Sequence, residues 1–191
     1  MIGLLSAIAF VLAFLEFPVP LSPEFARMDI SDLPALIGAF AFGPLEGVLI
    51  ELVKNVLQVF STTTGGVGEL ANFLIGGVFV FVAGAIYKRN KTKKRAWIAC
   101  IVASVAMGVM AAVMNYFVLL PLSEQFMRID ELIASFGSFI PFIRTKLDVV
   151  LYNALPFNLL KGLVISLVTM LVYKKISPIL KGLKQEEKAA Q

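Results

Sequence analysis

Histidine is absent from this chain, and cysteine occurs once, at Cys100. The lack of histidine removes the commonest general base and the commonest metal ligand. A single thiol excludes a disulfide within the chain and a metal site built from cysteines. The sequence also contains no P-loop, no HExxH motif and no nucleophile elbow. We therefore expect no enzyme, no metal and no cofactor.

Charge is scarce as well. Charged residues make up 16% of the 191 residues and hydrophobic residues 59%, and the mean hydropathy is +0.87. Soluble chains have about 25% charged and about 45–50% apolar residues. One soluble core could not hide this much apolar surface. We predict an all-α integral membrane protein, with lipid as the solvent for its long apolar runs.

Polar breaks divide the chain into six predicted transmembrane helices. Their ranges are 1–17, 31–42, 45–60, 68–87, 96–120 and 149–176. No basic residue precedes the first run, which predicts a helix rather than a signal peptide; its shortness leaves room for residues upstream. Helices 2 and 3 are shorter than a full span of about 20 residues, so a re-entrant hairpin is the alternative to two short spans.

Proline and charge mark the remaining segments. Residues 18–29 contain three prolines and are predicted to form a loop, and Pro121 is predicted to end helix 5. Residues 122–148 form a longer polar and aromatic segment that has room for a short surface helix. Residues 1–176 then form one six-helix substrate-binding domain, and residues 177–191 a charged cytoplasmic tail that we expect to be frayed.

Basic residues predict the orientation of the bundle. They concentrate in the loop between helices 4 and 5 and after helix 6, which a six-helix arrangement places on the same side. The positive-inside rule then puts both termini in the cytoplasm, whereas five spans would place these regions on opposite faces. The basic residues are Lys88, Arg89, Lys91, Lys93, Lys94 and Arg95 in the loop, and Lys174, Lys175, Lys181, Lys184 and Lys188 near the C-terminus.

Several polar side chains fall inside the predicted helices, where a charge or amide is costly unless it is paired or faces a cavity. At 1.5 Å of rise per residue, they all lie in or just below the outer half of the membrane. Residues at similar depth predict a polar cavity that opens outward. The alternatives are an ion pair between Glu51 and Lys54, and simple ties between helices for single residues such as Asn115. The set is Glu51, Lys54, Asn55, Glu69, Asn72, Asn115, Asn153, Asn158 and Lys161.

Carboxamides both donate and accept hydrogen bonds, so such a cavity suits an uncharged heteroaromatic ligand. Aromatic side chains near the outer face would stack on a flat ring, although the ordinary interfacial belt explains most of them better. These are Phe25, Phe73, Tyr116, Phe117, Tyr152 and Phe157. A stand-alone channel or a membrane enzyme is the competing hypothesis, but a channel would need polar residues through the cytoplasmic half too.

Small residues recur at a spacing of four in helix 1, at Gly3 and Ala7 and at Ala9 and Ala13. This spacing lets another helix approach closely. Docking of a partner and packing within this chain both remain open.

Three segments and one residue together form a fairly specific pattern. They are MDISDLPALIGAFAFGPLEGVLIELVKN at 28–55, TGGVGELANFLIGG at 64–77, LPFNLLKG at 155–162, and Asn115. Over essentially the whole chain the pattern resembles the riboflavin-specific substrate-binding (S) subunits of energy-coupling factor (ECF) transporters. The resemblance implies a six-helix S component in a bacterial cell membrane that binds riboflavin near the outer face. An S component for another vitamin is the closest alternative.

The resemblance also implies roles for individual residues. Asn115, Asn158 and Lys161 match positions expected to bond the isoalloxazine ring. The loop residues Phe25, Ala26, Met28 and Asp29 are expected to contact the ligand, and Lys54, Glu69 and Asn72 to contact it or to support the pocket. Family S components work with a transmembrane coupling subunit and two ATPase subunits. The small-residue face of helix 1 resembles the patch that docks the coupling subunit.

Overall fold

A computed structural model of the chain describes residues 1–18, 27–62, 65–124 and 128–189, with side chains as far as residue 173 except those of Pro18 and Arg27. The described chain is helical apart from short connections and one pair of two-residue strands. The helices are α1 (Ile2–Ala13), α2 (Asp32–Ala41), α3 (Pro44–Gln58), α4 (Val67–Arg89), α5 (Lys93–Met114), α6 (Leu120–Ser123), α7 (Ile129–Phe139), α8 (Lys146–Val149) and α9 (Leu155–Ala189). The strands β1 (Phe17–Pro18) and β2 (Arg27–Met28) pair antiparallel at the base of the predicted proline-rich loop.

Two π-helical segments each join a long helix to a short one, so that the winding continues through both. Asn115–Leu119 connects α5 to α6, and Val150–Ala154 connects α8 to α9. The prediction that Pro121 ends helix 5 is wrong, because the helix continues to Ser123. A proline ring clashes with the carbonyl group four residues earlier, and the wider π turn before Pro121 accommodates it. The same arrangement precedes Pro156.

Three helical stretches are long and apolar enough to cross a membrane by length and composition: Val67–Arg89, Lys93–Ser123 and Lys146–Tyr173. The helices Ile2–Ala13 and Asp32–Ala41 are apolar but shorter. α3 has 15 residues and is therefore about 22 Å long. The short predicted helices 2 and 3 correspond to α2 and α3. The predicted surface helix is α7, and α9 continues to Ala189, beyond the predicted helix end at residue 176.

Many small residues are buried in the bundle, and many large apolar residues are exposed. On α5, Ala99, Ala103 and Ala111 are buried, whereas Val105 and Val109 are exposed. Soluble proteins rarely expose such continuous apolar faces. In lipid there is no penalty for exposing them, and small residues inside let the helices approach closely. This distribution of side chains is that of a membrane protein.

A close helix contact joins α5 to α9. A Cβ atom added at Gly162 would lie 2.8 Å from Ser104 Oγ and 3.1 Å from its Cα. Only glycine allows this approach. The contact fixes α9 against α5 one residue beyond Lys161.

Candidate ligand cavity and its charged support

A cavity of about 440 Å³ lies between α4, the two π-helical segments and α7. This volume is within the range of about 300–1,000 Å³ that is typical of small-molecule sites. Its wall is mostly apolar, with four asparagine side chains as the main polar groups. The lining residues are Gly68, Ala71, Asn72, Ile75, Asn115, Leu119, Leu120, Ser123, Leu132, Phe136, Val149, Asn153, Ala154, Phe157 and Asn158.

The π-helical segments form one side of this cavity. Asn115 and Leu119 belong to the first segment, and Asn153 and Ala154 belong to the second. π-Helical turns are rare and occur frequently at functional sites. Each segment contributes an amide to the cavity wall.

Two of the cavity amides are oriented by their own helices. Asn115 Nδ2 donates to Ala111 O at 2.8 Å, and Asn158 Nδ2 donates to Ala154 O at 2.9 Å. Among the described residues, no partner is present for either Oδ1 atom. Both amides therefore retain a carbonyl oxygen and one N–H for a ligand.

The third amide, Asn72, is held from behind by α3. Its Nδ2 donates to Asn55 Oδ1 at 3.0 Å. Asn55 Nδ2 donates in turn to Glu51 O at 2.8 Å and Glu51 Oε2 at 3.3 Å. The cavity wall is thus connected by hydrogen bonds to a buried carboxylate.

Glu51 belongs to a buried cluster of charges centred on two lysines. Lys54 Nζ lies 2.6 Å from Asp32 Oδ1 and 2.6 Å from Glu51 Oε2. Lys161 Nζ lies 3.0 Å from Asp29 Oδ2 and 3.2 Å from Asp32 Oδ2. The predicted ion pair between Glu51 and Lys54 is confirmed. Buried charges require such partners, because desolvation would otherwise be prohibitive.

Asp29 connects the cluster to the segment between α1 and α2. Burial and the charge of Asp32 raise the pKa of the Asp29 carboxyl, but attraction to Lys161 and Lys54 and the Ser31 hydrogen bond outweigh them. The pKa of Asp29 in the folded protein therefore lies below its ordinary value. Its contribution to stability is present above about pH 4 and is lost as the pH falls through the lowered pKa.

Gly76 lets α4 approach this cluster. A Cβ atom at this position would lie 2.9 Å from Glu51 Oε2 and 3.4 Å from Asp32 Oδ1. The glycine is part of the TGGVGELANFLIGG segment, but no role was predicted for it. A contact between α4 and two carboxylates of other helices has no local sequence signal.

The structure brings together most of the predicted ligand-binding residues. Asn72, Asn115 and Asn158 line one cavity, and Lys161 lies one turn along α9 from Asn158, in the charge cluster. Lys54 is also in the cluster and does not line the cavity.

The other predicted ligand-binding residues lie elsewhere. Asp29 is in the charge cluster, and Met28 is buried next to it in β2. Glu69 lies outside the cavity lining and accepts a hydrogen bond from Thr62 Oγ1 at 2.8 Å, so it secures the turn between α3 and α4. Phe25 and Ala26 lie outside the described residues.

Several lining residues were missed by the sequence analysis. Leu132 and Phe136 come from α7 and pack in a second apolar cluster beside the cavity. Their spacing of four residues was a weak signal for one face of a helix. Among the predicted stacking aromatics, Phe157 lines the cavity, whereas Tyr116 and Phe117 are exposed and pack edge to face against each other.

The two pairs of small residues in helix 1 face opposite directions. Gly3 and Ala7 are exposed, whereas Ala9 and Ala13 are buried against the bundle. The prediction that all four residues dock a partner therefore needs correction. Ala9 and Ala13 allow close packing within this chain, which leaves Gly3 and Ala7 on the exposed face of α1, away from the bundle.

An all-α membrane bundle with an amide-lined cavity above a buried charge cluster defines a ligand-binding membrane protein. The chain belongs to the family described as ECF transporter, substrate-specific component, whose model matches residues 1–173. It is a transport component rather than an enzyme.

Individual relatives agree with this assignment. The chain is 39% identical over 181 residues to riboflavin transporter RibU of Staphylococcus aureus (strain TCH60), covering 94% of this chain and 90% of the relative. It is 34% identical over 180 residues to riboflavin transporter FmnP of Bacillus subtilis (strain 168), covering 93% of this chain and 90% of that relative. A solved structure described as the S component of a bacterial ECF transporter matches with a TM-score of 0.75 at 37% identity, covering 94% of this chain and 95% of that one.

Proposed function

We propose that this chain is the riboflavin-binding S component of an ECF-type vitamin importer. The observation that carries the proposal is the joint placement of Asn72, Asn115 and Asn158 in one cavity of about 440 Å³. Amides and an apolar wall suit the polar edge and flat rings of an isoalloxazine. The names of the relatives from Staphylococcus aureus and Bacillus subtilis support the same ligand.

In this proposal the protein spans the cytoplasmic membrane of a bacterium six times. Residues 1–176 form the substrate-binding domain, and residues 177–191 form a cytoplasmic tail. α1, α2 and α3 supply short spans, and the three long apolar stretches supply the others. The exposed basic residues between α4 and α5 support cytoplasmic termini.

The ligand enters from outside and lies against α4, α7 and the π-helical segments. Asn115 and Asn158 bond the ring through the groups that their helices leave free. Asp29 and Met28 contact the ligand from the α1–α2 connection, and Phe25 and Ala26, which lie outside the described residues, stay predicted ligand contacts. Lys161 contributes to the ring contacts from the edge of the charge cluster, while Lys54 supports it.

Release into the cell requires an energised module in this proposal. A coupling transmembrane subunit and two ATPase subunits supply it, as the family description as a substrate-specific component suggests. The exposed face of α1 at Gly3 and Ala7 docks the coupling subunit, because small residues there permit close helix contact.

Titration of riboflavin fluorescence with the purified protein in detergent tests the binding step. We expect saturable quenching of riboflavin fluorescence, and we expect that an excess of thiamine or biotin does not reverse it.

Asn115→Ala removes an amide from the wall and should weaken binding by about 1–3 kcal/mol. Asn90→Ala is the control, because Asn90 is exposed at the C-terminus of α4. Absence of quenching at micromolar riboflavin would contradict the proposal, and binding of a different vitamin would redirect it.

A further inference from the structure

Asn55 does not line the cavity, but its carboxamide is hydrogen-bonded to Asn72, which does. Asn55 is almost fully buried on α3, between Glu51 and Asn72. From this arrangement we infer that Asn55 is a positioning residue for ligand recognition. The inference rests on the proposed function and extends it to a residue outside the cavity.

The orientation of Asn55 follows from its contacts with Glu51. Its amide nitrogen lies 2.8 Å from the backbone O of Glu51 and 3.3 Å from Glu51 Oε2, which Lys54 holds at 2.6 Å. A backbone carbonyl oxygen can only accept hydrogen bonds, so the amide must present Nδ2 to Glu51. The reverse orientation would place two acceptors against each other in a buried site. Asn55 Oδ1 is therefore directed away from Glu51 and toward α4.

The orientation of Asn72 follows from that of Asn55. Asn55 Oδ1 accepts a hydrogen bond from Asn72 Nδ2 at 3.0 Å. With one N–H held there, Asn72 keeps its second N–H and directs its carbonyl oxygen away from Asn55, and Asn72 itself lines the cavity. We expect the ligand to offer a hydrogen-bond donor to that oxygen. Riboflavin has two kinds of hydrogen-bond donor, the imide N–H of the ring and the hydroxyl groups of the ribityl chain.

A double-mutant cycle tests the positioning role by riboflavin titration. Asn72→Ala and Asn55→Leu should each weaken binding roughly 10-fold, and the double variant should bind no worse than Asn72→Ala alone. Fully additive losses would overturn the inference. Asn55→Ala enters the same cycle if Asn55→Leu does not accumulate in the membrane.

Asn55→Asp is the conservative variant that separates positioning from general damage. In its protonated form the new carboxyl can donate its O–H to Glu51 O and accept from Asn72 through its carbonyl oxygen, as Asn55 does. Riboflavin affinity should stay within about 3-fold of the wild-type value. A loss as large as that of Asn55→Leu contradicts the inference. Thr169→Val is the matched control, because it removes a buried hydroxyl of α9 that has no partner among the described residues; its affinity should not change.

Two analogues identify the donor in the wild-type protein. N3-methylriboflavin lacks the imide N–H, and lumiflavin lacks the ribityl hydroxyls. The analogue that lacks the relevant donor should bind equally well to the wild-type protein and to Asn72→Ala. If both analogues distinguish the two proteins as strongly as riboflavin does, Asn72 does not accept from the ligand and the inference fails.

A measurement without ligand keeps the inference separate from the proposed function. In the ligand-free protein, the side-chain NH₂ signals of Asn72 in an amide ¹⁵N spectrum should shift in Asn55→Leu and remain nearly unchanged in Asn55→Asp. Unchanged signals in both variants overturn the positioning role. Failure of the wild-type protein to bind riboflavin would instead overturn the proposed function and leave this spectral result to decide the role of Asn55.

Discussion

Lys54 compensates two carboxylates from different helices at once. It joins Asp32 of α2 to Glu51 of its own helix, and all three side chains are fully buried. Lys161 adds a second bridge from α9 to Asp32. The cluster thus ties α2, α3 and α9 together, and hydrogen bonds through Asn55 connect it to Asn72 in the cavity wall. Its value to the protein depends on every charge keeping a partner, because an uncompensated buried charge is far more costly than an exposed one.

Lys54→Met should therefore be strongly destabilising. Removal of this ammonium group leaves Glu51 without a cation and Asp32 with Lys161 alone, and we expect a loss of about 3–5 kcal/mol in the free energy of unfolding. Thermal unfolding in detergent measures the change.

The control for this prediction is Lys146→Met, which makes the same substitution in the exposed ion pair between Lys146 and Glu124. Exposed pairs contribute about 0–1 kcal/mol, so its unfolding temperature should barely move. Equal losses in the two variants would show that the buried cluster contributes no more than a surface pair.

At the scale of single elements, α4 depends on one glycine to approach α3. Gly76→Ala should destabilise the protein, because the new methyl group would overlap the Glu51 carboxylate, which its ion pair with Lys54 holds in place. Helix propensity alone would favour alanine by about 1 kcal/mol. The net effect on the unfolding temperature therefore reports the tertiary contact.

Gly77→Ala provides a matched control on the same turn of α4. Its added Cβ would lie 3.8 Å from Phe73, which is an ordinary contact. We expect this variant to be neutral or slightly stabilised. If Gly76→Ala behaves in the same way, the α3–α4 approach is not limited by residue 76.

The elements show where sequence reasoning succeeds and where it ends. Hydropathy predicted the three long apolar stretches, because lipid contact imposes composition directly. The ion pair of Glu51 and Lys54 followed from a spacing of three in one helix. The Gly76 contact was not predicted, because it joins residues that are distant in the sequence. The π-helical segments have a local signal, the Leu-Pro pairs at 120–121 and 155–156, but they were not predicted either, and Pro121 was misread as a helix end.

At the scale of the whole molecule, the lone cysteine makes the proposed topology testable. Cys100 is fully buried, so the wild-type protein should react little with maleimides. In intact cells, a membrane-impermeant maleimide should label Ser138→Cys on α7 but not Lys91→Cys between α4 and α5. Both substitutions replace exposed residues. The reverse pattern, or labelling of both from outside, would contradict six spans with cytoplasmic termini.

The cavity wall depends on the number of residues in the two π-helical segments as much as on their identity. A π turn contains about one residue more than an α turn, so deletion of a single residue there would restore regular winding. Residues beyond the deletion would keep nearly the same angle around the helix axis, because the wider π turn absorbs the additional residue. The change would fall within the segment itself, where Asn115 of the first segment or Asn153 of the second would lose its present place in the wall. We therefore expect deletion of one residue to impair the cavity more at 115–119 and 150–154 than in the surface loop at 90–92.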